Sequence, residues 1–488
     1  MIFIHVFDLP RNNRFIFRIR SLLLMMNRIV KNFDQLTQER SGILSDIRVD
    51  VLEAAEKSIE EVLPRNALQK HVKRVRNMLI VKKTQYRLNE FKKVVVLGAG
   101  KASIGMAEYI EEILLDRIDS GLIIAPREVV SKARLEKIEV APSTHPIPSM
   151  LGVRASERLL EYARSIDSET LVIFLISGGA SALTPLPAPP LTLEDKAQTT
   201  KLLLSSGATI DEINIVRRHI SEIKGGRLVK KLNNARIISL IISDVVGDKL
   251  EVIGSGLTAP DPTTFKDAYE VLRRYNLWDK VPENVRKRIE DGLNGLLDEN
   301  PKPGDSIFNR VQNVIVASVS DACRAARRCL ISRKYSVNIL TRYMEGEASE
   351  IGRFLGGVLR ELADRKGRVA LICGGETTVR VRGHGIGGRN QELALSTSIN
   401  ISKLAYSCLV SIGTDGVDGP TNAAGAIVDN ETYGEAVENG LNPIIYLEDN
   451  NSYEFFKRVG GHVITEPTGT NVGDIVIAVH RSQHYERS

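Results

Sequence analysis

The sequence is poor in the residues that mark several common functions. Its four cysteines, Cys323, Cys329, Cys373 and Cys408, form no CxxC pair, and no histidine cluster has zinc-ligand spacing. Neither a disulfide framework nor a zinc site is expected. The thiols read as small apolar core residues of a protein from a reducing, cytoplasmic compartment. One tryptophan and 5% aromatic residues leave few platforms for stacking on single-stranded nucleic acid. A net charge of +6, from 66 basic and 60 acidic residues, is too small an excess to mark a nucleic-acid surface. No stretch reaches the roughly 18 uninterrupted apolar residues of a membrane span. The expected partners are small molecules, with no nucleic acid and no membrane, and a homo-oligomer is left open.

What is present is ordinary for a folded chain: 43% hydrophobic and 26% charged residues. The 488 residues exceed the roughly 250–300 at which single hydrophobic cores stop growing, so more than one domain is expected. Residues 1–26 read as an upstream extension. The apolar run Leu22 to Met26 is shorter than the 7–15 residues, roughly, of a signal core, and Arg11, Arg14, Arg18 and Arg20 interrupt everything before it. Four arginines against Asp8 also supply half of the net charge.

From Asp46 apolar residues recur at helical spacing in IRVDVLEAAEKSIEEVL, which Pro64 ends, and ALQKHVKRVRNMLIV reads as a second helix. Short β-branched runs then alternate with glycine turns and helices: VVVLGAGKAS (94–103), LVIFLISGGASAL (171–183) and ISLIISDVVGD (238–248). After the turn-rich ENPKPGDS (299–306) come NVIVASVSDACRAA (313–326), VALICGGETTV (369–379) and LVSIGTDGVDG (409–419). Continuously apolar strands alternating with helices predict parallel sheets covered on both faces. The expectation is two Rossmann-like α/β domains with parallel or mostly parallel sheets. They span 27–298 and 307–483, with a cleft between them. In such sheets ligands sit beyond the carboxyl ends of the strands, where every polar motif of this chain falls.

GAGKAS offers Gly98 and Gly100 for a tight turn and Lys101 at a strand–helix anion site. It is not a Walker loop, because Val95 stands where the first glycine would fall and Ala102 follows the lysine. Nor is it a dinucleotide loop, because Ser103 replaces the third glycine and no acidic residue follows in SGLIIAP. In SGGASAL, Ser177 and Ser181 can donate hydrogen bonds, and Gly178 with Gly179 can form a backbone nest for phosphate. The GxSxG of a serine-hydrolase elbow is absent. In NIVRRHISEIKGGRLVKKL two glycines interrupt a helical pattern at a cost of about 1 kcal/mol each, which suggests a close backbone approach or a turn there. Lys224 and Arg217 are candidates for an anionic substrate, and His219 reads as structural.

Asp244 and Asp248 in SDVVGD, and Asp415 and Asp418 in GTDGVDG, follow apolar strands. Such carboxylates cap turns, hold Mg²⁺ through water, or accept a proton from a substrate hydroxyl. GHGIGGRNQELAL (383–395) presents Arg389 and Asn390 from a glycine loop at a helix start, as suits a transferring phosphoryl group. Glu376 in GGETTV could position Arg389 or bind a ligand hydroxyl. Thr and Asn side chains of TEPTGTNVGD (465–474) could contact ligand or form turns.

The ordered motifs GAGKAS, STHPIP, SGGASAL, NIVRRHISEIKGGRL, ISDVVGD, SGLTAPDPTTF, CGGETTV, GIGGRNQEL, GTDGVDGPTNAAGA and PTGTNVGD resemble the glycerate 2-kinase family with a C-terminal MOFRL domain. The resemblance runs from about residue 46 to 480. It implies phosphorylation of D-glycerate at its 2-hydroxyl by ATP with Mg²⁺, in a cleft between two domains. The family's essential lysine and arginine fall on Lys101 and Arg389. By the same reading Asp244 or Asp415 holds Mg²⁺ or accepts the hydroxyl proton, and Lys224 or Arg217 pairs with the glycerate carboxylate. The loops at Ser177–Ser181 and Gly374–Gly375 cradle nucleotide or substrate. Ala180, Leu257 and Glu466 depart from residues usual in the family, which touches loop geometry only.

Two rivals make different predictions. A hydroxypyruvate reductase needs a nicotinamide fingerprint, which the chain lacks. A sugar-phosphate-binding regulator leaves the Lys, Arg and Asp constellation without a task. Intact-mass measurement of the native protein is expected to show a chain starting at Met25 or Met26, and a species starting at Met1 would refute the upstream-extension reading.

Overall fold

A computed structural model describes residues 28–364 and 367–482. Six strands form the first sheet: β4 (Lys93–Ala99), β5 (Ile118–Pro126), β6 (Ile138–Ser143), β7 (Thr170–Ile176), β8 (Arg236–Ile242) and β9 (Val311–Ala317). A small antiparallel sheet of β1 (Val72–Val75), β2 (Met78–Val81) and β3 (Thr84–Arg87) precedes them. The first sheet is parallel throughout, in the order β6-β5-β4-β7-β8-β9. Counted within the sheet this is 3-2-1-4-5-6, the doubly wound order, whose switch point lies between β4 and β7. Their apolar residues are buried on both faces, as continuous apolar runs require.

The second sheet contains β10 (Ser336–Met344), β11 (Arg368–Gly375), β12 (Ser407–Gly413), β13 (Gly425–Asp429), β14 (His462–Val463) and β15 (Asp474–Arg481), in the order β10-β11-β15-β12-β13-β14. Here the expectation of a mostly parallel sheet is corrected: only β10 and β11 pair in parallel, and the sheet is mixed. The reason is that the last strand inserts antiparallel between β11 and β12, and β12 returns directly to β13 without a crossover helix.

Three further expectations are revised. The segment ALQKHVKRVRNMLIV is not one helix. It is helical only from Pro64 to His71 and then turns through the left-handed Arg76 (φ +53°) into the hairpin of β1 and β2. Strand β9 belongs to the first sheet beside β8, so ENPKPGDS does not divide the domains at 299–306. Asn300 within it is buried and donates to Asp261 Oδ2 at 2.7 Å.

Nor are the two halves separate cores. Helix α1 (Gly42–Val62) and helix α2 (Val319–Ser332) pack between the sheets, and one apolar cluster runs from Val96, Ile173 and Leu240 through Ile47, Val51 and Cys323 to Val410 and Ile477. Buried charges fix α1 on the second sheet. Arg48 is 2% exposed and places Nε 2.7 Å from Asp429 Oδ2, which Arg40 also reaches at 2.8 Å. Asp50 accepts from Tyr335 at 2.8 Å and pairs with Arg333 and Arg481. Burial alone would push the Asp429 carboxyl up; Arg48 and Arg40 outweigh it and hold it below the ordinary range. Removing one partner of such a pair strands the other, at a cost of about 3–5 kcal/mol. Asp429→Ala is therefore expected to lower the unfolding free energy from denaturant titration by a corresponding amount, whereas the exposed-pair variant Lys92→Ala should leave the denaturant midpoint unchanged.

Candidate active site

The two loops at the switch point are bonded to each other. Lys101 N donates to Gly178 O at 2.9 Å, and Ala102 N donates to Ser177 Oγ at 2.9 Å. Gly100 (φ +142°) is left-handed, and a methyl group on it would collide with Ser177 Oγ. Lys101 thus emerges half-buried just before the helix Ser103–Leu114, with its stem packed over Gly179.

Arg389 opens the helix Arg389–Ile401 on the second sheet. Asp418 caps that helix, accepting from Asn390 N at 3.0 Å and Gln391 N at 2.9 Å, a favourable use of a carboxylate at a helix start. The guanidinium is gripped by Asp474 at the first residue of β15: Nε to Oδ2 at 2.6 Å and Nη2 to Oδ1 at 2.9 Å. Glu376 adds a contact to Nη1 at 3.0 Å. Burial alone would lower the Arg389 guanidinium, but the charges and hydrogen bonds of Asp474 and Glu376 outweigh it and raise it. A cavity of about 490 Å³ opens beside it, lined among others by Thr378, Val381, Gly385 and Gly388.

The two halves meet where sequence reasoning placed their strand ends. Lys101 Nζ donates to Asp415 Oδ2 at 3.1 Å, and Asn471 Nδ2 donates to Asp244 Oδ2 at 3.4 Å. Asp244 lies against Gly178, where any side chain would strike its Oδ2. Removal from water raises the Asp244 carboxyl, and Lys101 opposes the shift. His145, in STHPIP, also lies over Gly179; burial and then Lys101 push its imidazole down to about 4. It is therefore neutral at physiological pH.

Behind the Ser177–Ser181 loop, Ser181 Oγ is bonded by Lys224 Nζ at 2.6 Å, by Arg217 Nη2 at 2.8 Å and by Ser255 Oγ at 2.8 Å. The KGGR turn, with Gly225 and Gly226 both left-handed, brings Lys224 inward from the end of the helix Ile210–His219.

Several candidates have tasks other than the expected ones. Ser177 is buried and holds the Lys101 loop. Gly98 is crowded by Leu175, Gly374 by Val319 and Cys323, and Gly375 by Met344, so these glycines permit close packing. Asn390 is 1% exposed and is committed to Asp474, at 3.0 Å, and to Ser411. His219 is fully buried against Phe265, as a structural residue should be. Asp474 and His145 were missed, and Asn471 was left between ligand contact and turn. Asp474 and Asn471 lay within a quoted motif, but nothing in that motif distinguished a clamp from a turn.

Among the described residues no three acidic or metal-binding side chains stand close enough to cage an ion. Asp244 and Asp415, flanking Lys101, nonetheless fit Mg²⁺, which is commonly held by one or two carboxylates together with substrate phosphates. Also among the described residues, no helix is long and apolar enough to cross a membrane.

The fold and site define a two-sheet α/β protein in which a lysine from one sheet pairs with Asp415 and an arginine on the other is held by Asp474 and Glu376. Residues 50–290 match a family described as a domain of unknown function, DUF4147, and residues 369–474 match the MOFRL family. The chain is 44% identical over 450 residues to a glycerate 2-kinase of Pyrococcus horikoshii, covering 90% of this chain and 99% of that one. It is 38% identical over 432 residues to a D-glycerate 2-kinase of Thermotoga maritima, covering 88% and 97%. A solved glycerate kinase structure from Thermotoga maritima superposes with a TM-score of 0.76 at 36% identity, covering 88% of this chain and 98% of that one. The chain belongs to the glycerate 2-kinase family with a C-terminal MOFRL domain.

Because Asp474 orients Arg389 without facing the cleft itself, Asp474→Asn is expected to lower turnover by about 10–100-fold while circular dichroism stays unchanged. Gly178→Ala, which pushes on Asp244, should be similarly harmful, and normal turnover in both variants would refute these positioning roles.

Proposed function

We propose that this protein is an ATP-dependent glycerate 2-kinase that transfers the γ-phosphoryl group of ATP to the 2-hydroxyl of D-glycerate, giving 2-phosphoglycerate and ADP. The observation that carries this reading is the convergence of Lys101 and Arg389, from different sheets, on one carboxylate-lined cleft. Phosphoryl transfer requires in-line positioning and charge stabilisation more than covalent chemistry, and two fixed cations on either side of a cleft supply that. The names of the relatives support the same activity.

Lys101 and Arg389 bind the transferring phosphoryl group. Arg389 points its remaining donors toward the cavity beside Glu376, which is of a size to receive nucleotide. Asp415 is already committed to Lys101, whereas Asp244 accepts only a long bond from Asn471. Asp244 is accordingly the residue assigned to take the proton of the 2-hydroxyl. Mg²⁺ would be held by ATP phosphates with Asp415 and water, and when bound it neutralises charge on the phosphoryl oxygens.

An ADP-release assay with D-glycerate, with the products separated, is expected to give 2-phosphoglycerate. Lys101→Ala and Arg389→Ala should each lower kcat on the order of 10²–10³-fold. ADP release absent with D-glycerate, or a 3-phosphoglycerate product, would overturn the assignment, and unimpaired variants would overturn the roles.

A further inference from the structure

A second cavity lies away from the cleft and shares no lining residue with the one beside Arg389. Its volume is about 860 Å³. Small-molecule sites commonly enclose roughly 300–1,000 Å³. Three segments wall it: the C-terminal half of α1, the helix Pro64–His71 with Lys73 of β1 just after it, and α2 as far as Arg333 just beyond its end. Arg333 also belongs to the pairs that fix α1 on the second sheet, so the cavity sits on the seam between the two halves.

The walls carry an excess of positive charge. Five cations against three carboxylates leave a net charge of +2. Lys57 pairs with Glu60, and Arg333 with Glu53. Lys70 and Arg328 share a single carboxylate, Glu61, at 2.7 and 2.9 Å. Burial alone would raise Glu61; these two cations outweigh it and hold the carboxyl below its ordinary range. Lys73 is exposed and has no acidic partner among the described residues. The side chains of Lys70 and Arg328 are 43% and 60% exposed, and pairs so placed hold weakly. Both can turn from Glu61 to an arriving anion at little cost. An arginine fork and two ammonium groups, brought from two helices and a strand, suit a phosphate group of charge about −2.

The seam also reaches the active site. Val62, the last residue of α1, accepts from Thr470 Oγ1 at 2.6 Å, and the neighbouring Asn471 donates to Asp244. Pro64, the first residue of the next helix, lies against Gly105 of the helix that follows Lys101.

We propose that this cavity is a second anion site, which takes a phosphate group, free or as the monoester of a small molecule, and uses it to clamp the helix Pro64–His71 to α2. Arg328, Lys70 and Lys73 bind the phosphate oxygens, and Lys57 and Arg333 add positive potential. Occupancy secures the contacts at Val62 and Pro64 that back the Asp244 and Lys101 loops. The site goes beyond the kinase reading and stands without it.

Cys329 reports on the cavity, because it lines the wall half-buried while the other three cysteines are buried or absent from that wall. Its alkylation by iodoacetamide, followed by peptide mass spectrometry, is expected to slow about 10-fold at inorganic phosphate or glycerol 3-phosphate concentrations ten times Kd. Potassium chloride at equal ionic strength should give no protection. Protection by both compounds identifies the phosphate group as the ligand, and protection by one alone identifies its source. Arg328→Met combined with Lys73→Met should abolish the protection and leave turnover, measured without added phosphate, within about 3-fold of the parent. Lys73→Met alone should raise Kd about 5-fold without changing the melting temperature. Lys101→Ala, which removes a phosphate ligand from the cleft, should leave the protection intact. Protection lost in Lys101→Ala, or surviving in the double variant, would place the anion elsewhere and overturn the proposal. Protection by chloride, or none by either phosphate compound, would overturn it as well.

Discussion

The cleft depends on a helix from the start of the described chain packing on the sheet at its end. Helix α1 precedes every strand, yet its Arg48 is buried against Asp429 of β13 and its Asp50 against Arg481 of β15. Through these pairs and the apolar cluster they enclose, one core serves both sheets. Two domains joined by a linker would meet at a small, polar interface and move freely. Here the carboxyl ends of β4, β7 and β8 are held opposite the loops before β15 and after β12. The Lys101–Asp415 contact at 3.1 Å spans that cleft.

Within the cleft, paired and unpaired cations divide the work. Arg389 is clamped through two bonds by Asp474, which is fully buried, so its orientation is set before any ligand arrives. Such preorganisation means that little reorganisation remains for the moment of reaction. Lys101 is held more loosely, by one carboxylate on a half-exposed loop. Glycine at 178 lets Asp244 approach the Lys101 loop closely.

Much of this was legible in the sequence, and the limits have physical causes. Lys101 and Arg389 stood out because a charged residue beside strand-end glycines has few structural reasons to be there. The parallel order of the first sheet followed from its uninterrupted apolar strands. The mixed order of the second did not, since a strand buried on both faces is equally apolar in either direction. The packing of Gly374 and Gly375 against Val319, Cys323 and Met344 was not legible, because a glycine pair reads alike whether it faces a ligand or a neighbouring segment. The place of β9 was hidden because strand pairing is long-range, while a turn-rich segment such as 299–306 is a local signal that reads alike within a domain and between domains.

Lys196 shows the same limit from the other side. In LEDKAQTTKLLLS it is one of two lysines on an amphipathic helix, and nothing local separates it from Lys201. Its significance comes from burial beside Arg217 and Lys224, contributed by segments 20 or more residues later. Three cations gathered without an acid cannot be read as a stabilising network, because their mutual repulsion and desolvation both oppose folding.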